Sequence, residues 1–112
     1  MLGASIAGLA AASVLSRHFD SVVVVDKDIP GETPEPRRGV PQGTQVHGLQ
    51  PYAATLLDTF LPGVTDTLIA AGAVSIDFGA KMRSFLADGW VPGRPMGRET
   101  LSLTRPFLEH HV

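Results

Sequence analysis

The apolar positions at the start of the chain predict a helix followed by a buried strand. An Ala-rich stretch runs to about His18 and carries the small residues Gly8 and Ala12 four positions apart, on one helical face. A stretch that is apolar on all sides and rich in small residues predicts a helix packed closely against a sheet. The four valines at 22–25 then predict a strand buried on both faces, as in a parallel sheet. This order of elements indicates an α/β fold.

Further helices are predicted in the second half of the chain. The apolar spacing of residues 51–60 predicts a helix with a proline in its first turn. Residues 66–71 predict a short helix that stops at Gly72. Thr104 is a candidate N-cap for a last helix that begins at Arg105.

Short strands are predicted between these helices. Residues 74–78 alternate in the manner of a half-buried strand. Residues 81–91 predict a hairpin around an Asp-Gly pair, which favours the tight turns of hairpins, and Trp90 is expected to pack in the core. Residues 101–103 predict one more short strand.

A long connection rich in Pro and Gly covers residues 27–46. Connections of this length without structure of their own tend to be functional or disordered. We interpret this one as functional, because polar groups between Arg37 and His47 can reach an anionic ligand.

Composition excludes several classes of function. A net charge of −2 over 112 residues leaves no basic surface for nucleic acid, and the absence of cysteine excludes disulfides, iron–sulfur clusters and a thiol nucleophile. The first 16 residues have no Lys or Arg before or within them and are too short for a membrane span, so we expect a cytoplasmic protein without one. Adjacent His110 and His111 diverge by about 100° on a helix, so no metal site is predicted.

Gly3, Ser5 and Gly8 have the spacing G-x-G-x-x-G, with serine in the middle. Binding a dinucleotide pyrophosphate requires a tight turn, a closely approaching backbone and free N–H groups at a helix N-terminus. Gly3 suits the turn, Gly8 suits close helix packing, and Ser5 can donate a hydroxyl hydrogen bond. Asp26, eighteen residues after Gly8, ends the valine segment, where an acidic residue binds the adenosine ribose. A helix–strand pair with glycines placed by chance remains the alternative.

The glycine turn has only Met1 and Leu2 before it. Such a turn ordinarily follows a strand, and parallel pairing needs a strand–helix–strand unit. We therefore expect a truncated Rossmann-like domain whose first strand is missing or incomplete, and a parent coding sequence with an apolar strand upstream.

Four segments in order resemble the N-terminal section of FAD-dependent oxidoreductases of the p-hydroxybenzoate hydroxylase type, which includes flavoprotein monooxygenases and geranylgeranyl reductase-like enzymes. The segments are residues 3–9, 24–28, 38–43 with His47, and 104–109. The Arg-Gly-Val-Pro-Gln-Gly run at 38–43 and the late Arg105 are more specific than the glycine spacing. The resemblance extends over the whole chain but covers only the opening part of such an enzyme.

The resemblance implies FAD as cofactor, NAD(P)H as a candidate reductant of the longer parent protein, and a small organic substrate. The implied cofactor-binding residues are Gly3, Ser5, Ala7, Gly8, Asp26, Arg38, Gln42 and Arg105. The glycine turn would hold the FAD pyrophosphate, Asp26 the adenosine ribose, and the arginines the pyrophosphate oxygens, which guanidinium groups bind bidentately. No catalytic residue is assigned.

This chain departs from the family pattern at two positions: Ser5 replaces the second glycine, and Asp26 stands where Glu is more frequent. The family's later Gly-Asp segment and most of its substrate domain have no counterpart here, so catalysis by this chain alone is not expected. Two alternatives stay open, namely an NAD(P)-binding Rossmann fragment of a dehydrogenase and a non-catalytic truncated remnant. The hairpin region and Arg105 argue against the dehydrogenase.

The resulting domain organisation is one partial FAD-binding domain over residues 1–112. Residues 1–47 would contain the glycine turn, helix, strand and loop. Residues 48–103 would contain helices and a small inserted hairpin or mixed sheet, and residues 104–112 would begin the helix that contacts FAD.

Overall fold

The computed structural model of the chain describes residues 1–28 and 31–112. Its helices are α1 (Ile6–Leu15), α2 (Pro51–Phe60), α3 (Val64–Ala70), α4 (Phe78–Lys81) and α5 (Arg105–His111). Its strands are β1 (Val46–Leu49), β2 (Val74–Ile76), β3 (Phe85–Leu86), β4 (Gly89–Trp90) and β5 (Thr100–Thr104), and a 3-10 turn over Pro41–Thr44 precedes β1. The described part is therefore mixed α/β with small antiparallel sheets, which confirms the coarse α/β prediction.

Strand β5 is the centre of a three-stranded antiparallel sheet with the order β1–β5–β2. Leu101 pairs with Leu49, and Leu103 pairs with His47. Because side chains alternate along a strand, Leu101 and Leu103 point to one face, where both are buried. Strands β3 and β4 form a separate two-stranded hairpin.

The core lies between this face of the sheet and helices α2, α3 and α5. Its buried members are Leu57, Val64, Leu68, Ala73, Leu101, Leu103 and Leu108. Leu68 on α3 is completely buried. Helix α1 lies at the edge of this core: it has no buried residue, but Ile6 packs against the core. The carbonyl of Phe60 at the end of α2 accepts hydrogen bonds from Ser13 Oγ and Arg17 Nη2, both 2.8 Å long.

The end of α1 and the pairing and burial of the valine segment differ most from the prediction. Helix α1 ends at Leu15, three residues before His18. The residues at 22–25 are extended, but in the described part they form a single parallel bridge, between Leu2 and Val25, and no ladder. Val23 is 67% exposed and Val25 is 54% exposed. Burial on both faces is therefore wrong, because the backbone of residues 1–3 is the one described segment that pairs with the valines.

Several other elements begin or end at residues that differ from the predicted ones. The predicted strand 74–78 stops at Ile76, because Asp77 caps α4 and turns the chain into a helix. The predicted hairpin at 81–91 is correspondingly shorter, and Trp90 is 65% exposed against the ring of Phe85 instead of packed in the core. Helix α3 begins two residues before the predicted position.

Other predictions are confirmed by the structure. Helix α2 coincides with the predicted 51–60. Thr104 caps α5, since its Oγ1 accepts a hydrogen bond from the N–H of Phe107 at 3.3 Å. Strand β5 contains the predicted 101–103 and extends one residue beyond it at each end. Within residues 1–28 and 31–112, no helix combines the length and the hydropathy that crossing a membrane would require.

The predicted loop at 27–46 contains more structure than expected. A 3-10 turn forms at Pro41–Thr44, and β1 begins at Val46. Residues 29–30 of this loop lie outside the described residues.

Candidate functional site

The glycine turn is closely packed against the start of α1. Gly3 has a φ of 97°, in the left-handed region that favours glycine, and its N–H donates to the carbonyl of Val25 at 2.8 Å. A Cβ atom at Gly8 would overlap the carbonyl oxygen of Gly3. Gly8 thus lets the first turn of α1 lie directly on the glycine turn, as the spacing of the motif requires.

Asp26 contacts this turn directly. Its Oδ2 accepts a hydrogen bond from the N–H of Ala4 at 2.5 Å, and its Oδ1 accepts one from the N–H of Asp28 at 2.8 Å. The bond from Ala4, then that from Asp28, and the nearby charges of Arg37 and Lys27 lower the pKa of the Asp26 carboxyl, against the opposing effect of desolvation. Asp26 is therefore ionised at neutral pH, and it shares one site with the glycine turn.

The N-terminus of α1 faces the same site. The first hydrogen bond of the helix runs from the N–H of Leu9 to the carbonyl of Ser5. The N–H groups of residues 6–8 precede that bond and have no carbonyl within the helix to donate to. Ser5 is the N-cap residue, but its side chain makes no capping bond; its Oγ accepts one from Arg105 Nη2 at 3.0 Å.

Two arginines and a glutamate form an ion-pair network beside the turn. Glu109 Oε2 lies 2.7 Å from Arg37 Nη2 and accepts a second bond from Arg37 Nε at 3.1 Å. Glu109 Oε1 accepts from Arg105 Nε at 2.8 Å. Arg37 Nη1 also lies 3.9 Å from Asp26 Oδ1. The side chains of Arg37, Glu109 and Arg105 are 13%, 8% and 20% exposed, so the network is largely withdrawn from solvent.

Two cavities border the turn and the network. The first, of about 170 Å³, lies between the turn, the loop at 31–37 and α5; Ala4, Arg37, Glu109 and His110 are among its lining residues. The second, of about 480 Å³, is a mostly apolar groove between α1, α2 and the sheet. Its polar lining residues are Ser5, His47 and Arg105.

The structure brings together five of the predicted cofactor-binding residues: Gly3, Ser5, Gly8, Asp26 and Arg105. The other three predicted residues, Ala7, Arg38 and Gln42, are exposed to solvent. Ala7 is exposed on the first turn of α1, where it lines the apolar groove. Arg38 and Gln42 have exposed side chains, and neither makes a side-chain hydrogen bond to another residue of the described ranges. Their role as cofactor contacts stays a prediction.

Arg37 and Glu109 were not among the predicted cofactor-binding residues, although Arg37 begins the polar segment that was expected to reach an anionic ligand. Glu109 carried a usable signal, because it lies four residues after Arg105 on a predicted helix, the spacing at which opposite charges meet. Arg37 carried none that separates it from Arg38, since both stand side by side in a loop.

Part of the chain is similar in sequence to a segment of a longer protein. The chain is 39% identical to Protein Rv3254 of Mycobacterium tuberculosis over 77 residues, which are 69% of this chain and 16% of that protein. No family model matches the chain. The chain thus spans a small part of the length of this relative, whose name states no activity.

Proposed function

We propose that this chain is the FAD-binding N-terminal part of a flavin-dependent oxidoreductase or monooxygenase that acts on a small organic substrate. The observation that carries the proposal is the contact between the Asp26 carboxylate and the Ala4 amide in the glycine turn. In a dinucleotide site the ribose acid and the pyrophosphate turn must share one crevice, since ribose and pyrophosphate are joined.

The Asp26 carboxylate retains the capacity to bind a ribose. An ionised carboxylate has about four acceptor positions. One on each oxygen is used, by Ala4 on Oδ2 and by Asp28 on Oδ1. The remaining position on each oxygen can accept from the two hydroxyls of the adenosine ribose.

The start of α1 suits the pyrophosphate. The N–H groups of residues 6–8 supply donors at the positive end of a ten-residue helix. The Arg105 guanidinium is fixed against Ser5, so its remaining N–H groups can bind phosphate oxygens. The described residues thus fit a dinucleotide with a negative bridge and a ribose at one end.

The proposed fold is a Rossmann-like unit. Its support is the backbone of residues 1–3, which runs parallel to residues 23–25 with α1 between them in the chain. That order is the strand–helix–strand order of dinucleotide-binding domains. The bound flavin would supply the redox chemistry, and the residues named here would bind and orient it.

The visible spectrum of the purified chain tests this function. After incubation with FAD and removal of free ligand, we expect flavin absorption to remain with the protein. Retention of no flavin together with saturable binding of NADH, followed by quenching of its fluorescence, would assign the site to a nicotinamide-dependent dehydrogenase. Binding of neither nucleotide would overturn the proposal.

A further inference from the structure

We infer that Glu109 is a positioning residue of the nucleotide site, which orients the guanidinium groups of Arg37 and Arg105 before the ligand binds. The inference rests on the proposed function, because it names the group that arranges the cationic side chains of that same site.

The Glu109 carboxylate is divided between the two arginines. Oε2 accepts two hydrogen bonds from Arg37, at 2.7 Å and 3.1 Å, and Oε1 accepts one from Arg105 at 2.8 Å. The two shorter lengths are typical of charge-assisted hydrogen bonds. With 8% of its side chain exposed, Glu109 has little access to water, so the arginines are its main partners in this structure.

These bonds place both guanidinium groups against consecutive residues of the glycine turn. Arg37 Nη2 lies 3.5 Å from the carbonyl of Ala4, and Arg105 Nη2 donates to the hydroxyl of Ser5 at 3.0 Å. Arg37 comes from a loop 72 residues before Glu109, whereas Arg105 is on the same helix. Glu109 therefore joins the loop, helix α5 and the turn through one side chain.

Both arginines keep donors for a ligand. A guanidinium has five N–H groups, and in each arginine the contacts above use Nε and Nη2. The Nη1 groups remain for phosphate oxygens, although that of Arg37 also lies 3.9 Å from Asp26. A side chain already fixed in one rotamer loses less conformational entropy when the ligand binds, which raises affinity.

An effect of charge alone and an orienting effect predict opposite changes in diphosphate affinity when the Glu109 charge is removed. The network has two positive and two negative side chains, Arg37 and Arg105 against Asp26 and Glu109. Removing the Glu109 charge makes the site more positive, and by Coulomb attraction alone it would then bind an anionic diphosphate more tightly. If Glu109 orients the arginines, the same change weakens binding.

The test measures the affinity of the full chain for FAD, ADP and adenosine by calorimetry. We expect Glu109→Gln to weaken FAD and ADP binding about tenfold, because charged hydrogen bonds to phosphate lose their alignment. Adenosine has no phosphate and keeps its affinity, which a general structural defect would not allow. Glu109→Asp retains the charge and recovers part of the loss.

Glu99→Gln is the matched control, since Glu99 is exposed. Glu99 accepts a hydrogen bond from Ser75 of β2, the edge strand opposite β1 in the three-stranded sheet. It should bind all three ligands as the unaltered chain does. Unchanged or tighter ADP binding by Glu109→Gln overturns the inference. Failure of the unaltered chain to bind FAD overturns the proposed function as well, so the two failures are distinguishable.

Circular dichroism verifies that each variant is folded. If Glu109→Gln does not fold, Arg37→Lys decides the question, because lysine keeps the charge and loses the fork that Glu109 aligns. We then expect a similar loss of ADP affinity with adenosine unaffected. Full ADP affinity in a folded Arg37→Lys variant contradicts the inference.

Discussion

Asp26 and Ala4, 22 residues apart in the chain, are joined by a hydrogen bond of 2.5 Å from the Ala4 amide to the Asp26 carboxylate. The bond connects the end of the valine segment to the turn before α1. The glycine turn and Asp26 are therefore adjacent, as the proposed dinucleotide site requires, even though the valines form no continuous strand.

Replacing Asp26 with Asn tests the ribose contact. The amide has nearly the same shape, but its NH₂ group cannot accept a hydrogen bond from an amide or a ribose hydroxyl. We expect FAD affinity to fall about tenfold, the cost of a hydrogen bond to a charged acceptor. Titration of flavin fluorescence measures it, with Asp20→Asn, at an exposed position, as the control. Equal FAD affinity in the two variants would mean that Asp26 does not contact the bound cofactor.

Replacing Gly8 with Ala tests the packing of α1 on the turn. The new Cβ would collide with the backbone carbonyl of Gly3, which cannot move away as a flexible side chain could. We expect the free energy of unfolding to fall by about 1–3 kcal/mol, the usual cost of overpacking. Urea unfolding followed by circular dichroism measures the change.

Gly31→Ala is the matched control for that substitution. A Cβ at Gly31 would meet the nearest atom at 3.5 Å, an ordinary contact distance. Its effect should stay within about 0.5 kcal/mol. If Gly8→Ala proves as mild as Gly31→Ala, the close approach of α1 to the turn is not a feature of the folded protein.

Local patterns predicted helices α2, α3 and α5, whereas the one-turn helix α4 was missed, because its residues were predicted as the end of a strand and the start of a hairpin. The spacing of apolar residues in α2 and the Thr-Arg-Pro start of α5 are signals contained within each helix, so reading them requires no knowledge of a distant partner. Strand β1 was missed because its four residues, Val46–Leu49, alternate only between exposed and half-buried positions and are defined by pairing with distant β5.

The candidate site was predictable in part for the same reason. Gly3, Ser5 and Gly8 follow a fixed spacing, and Asp26 lies at a fixed distance from them, so the sequence contains their relationship. The pairing of Arg37 with Glu109 spans 72 residues, and no local pattern encodes it. The burial of the valines was mispredicted because it depends on neighbouring strands, and the described part supplies only residues 1–3.

Replacing Leu68 with Ala tests the position of the core. Leu68 on α3 is completely buried, whereas the side chain of its neighbour Ile69 is 44% exposed. We expect Leu68→Ala to lower the free energy of unfolding by about 2–5 kcal/mol through lost burial and a cavity, and Ile69→Ala to have a much smaller effect. Chemical denaturation of both variants measures the difference, and equal losses would mean that the core lies elsewhere.

Asp77 organises the chain on both sides of the β3–β4 hairpin. Its carboxylate caps α4 by accepting from the N–H groups of Gly79 and Ala80. The same carboxylate accepts from the N–H groups of Met96 and Gly97, at 2.9 Å and 3.0 Å, after the hairpin. One ionised side chain therefore fixes both ends of the hairpin segment.

This arrangement predicts an acid-sensitive fold. Desolvation by burial is the largest influence on the pKa of Asp77 and raises it, but the hydrogen bonds from Gly97, Ala80, Met96 and Gly79 together bring the pKa below its ordinary value of 3.8. A carboxyl whose pKa is lower in the folded state stabilises the fold above the unfolded pKa, and this contribution is lost as pH falls through the lower folded value. Asp26 acts in the same direction.

Melting temperatures measured from neutral to strongly acidic pH test the role of Asp77. We expect the unaltered chain to lose stability below about pH 4, where the unfolded carboxyl begins to bind protons. Asp77→Asn should melt several degrees lower at neutral pH and lose less stability on acidification, because it has no charge to titrate. Asp88→Asn, at an exposed position in the hairpin turn, should follow the unaltered chain. An unchanged acid dependence in Asp77→Asn would mean that other carboxylates, Asp26 among them, account for it.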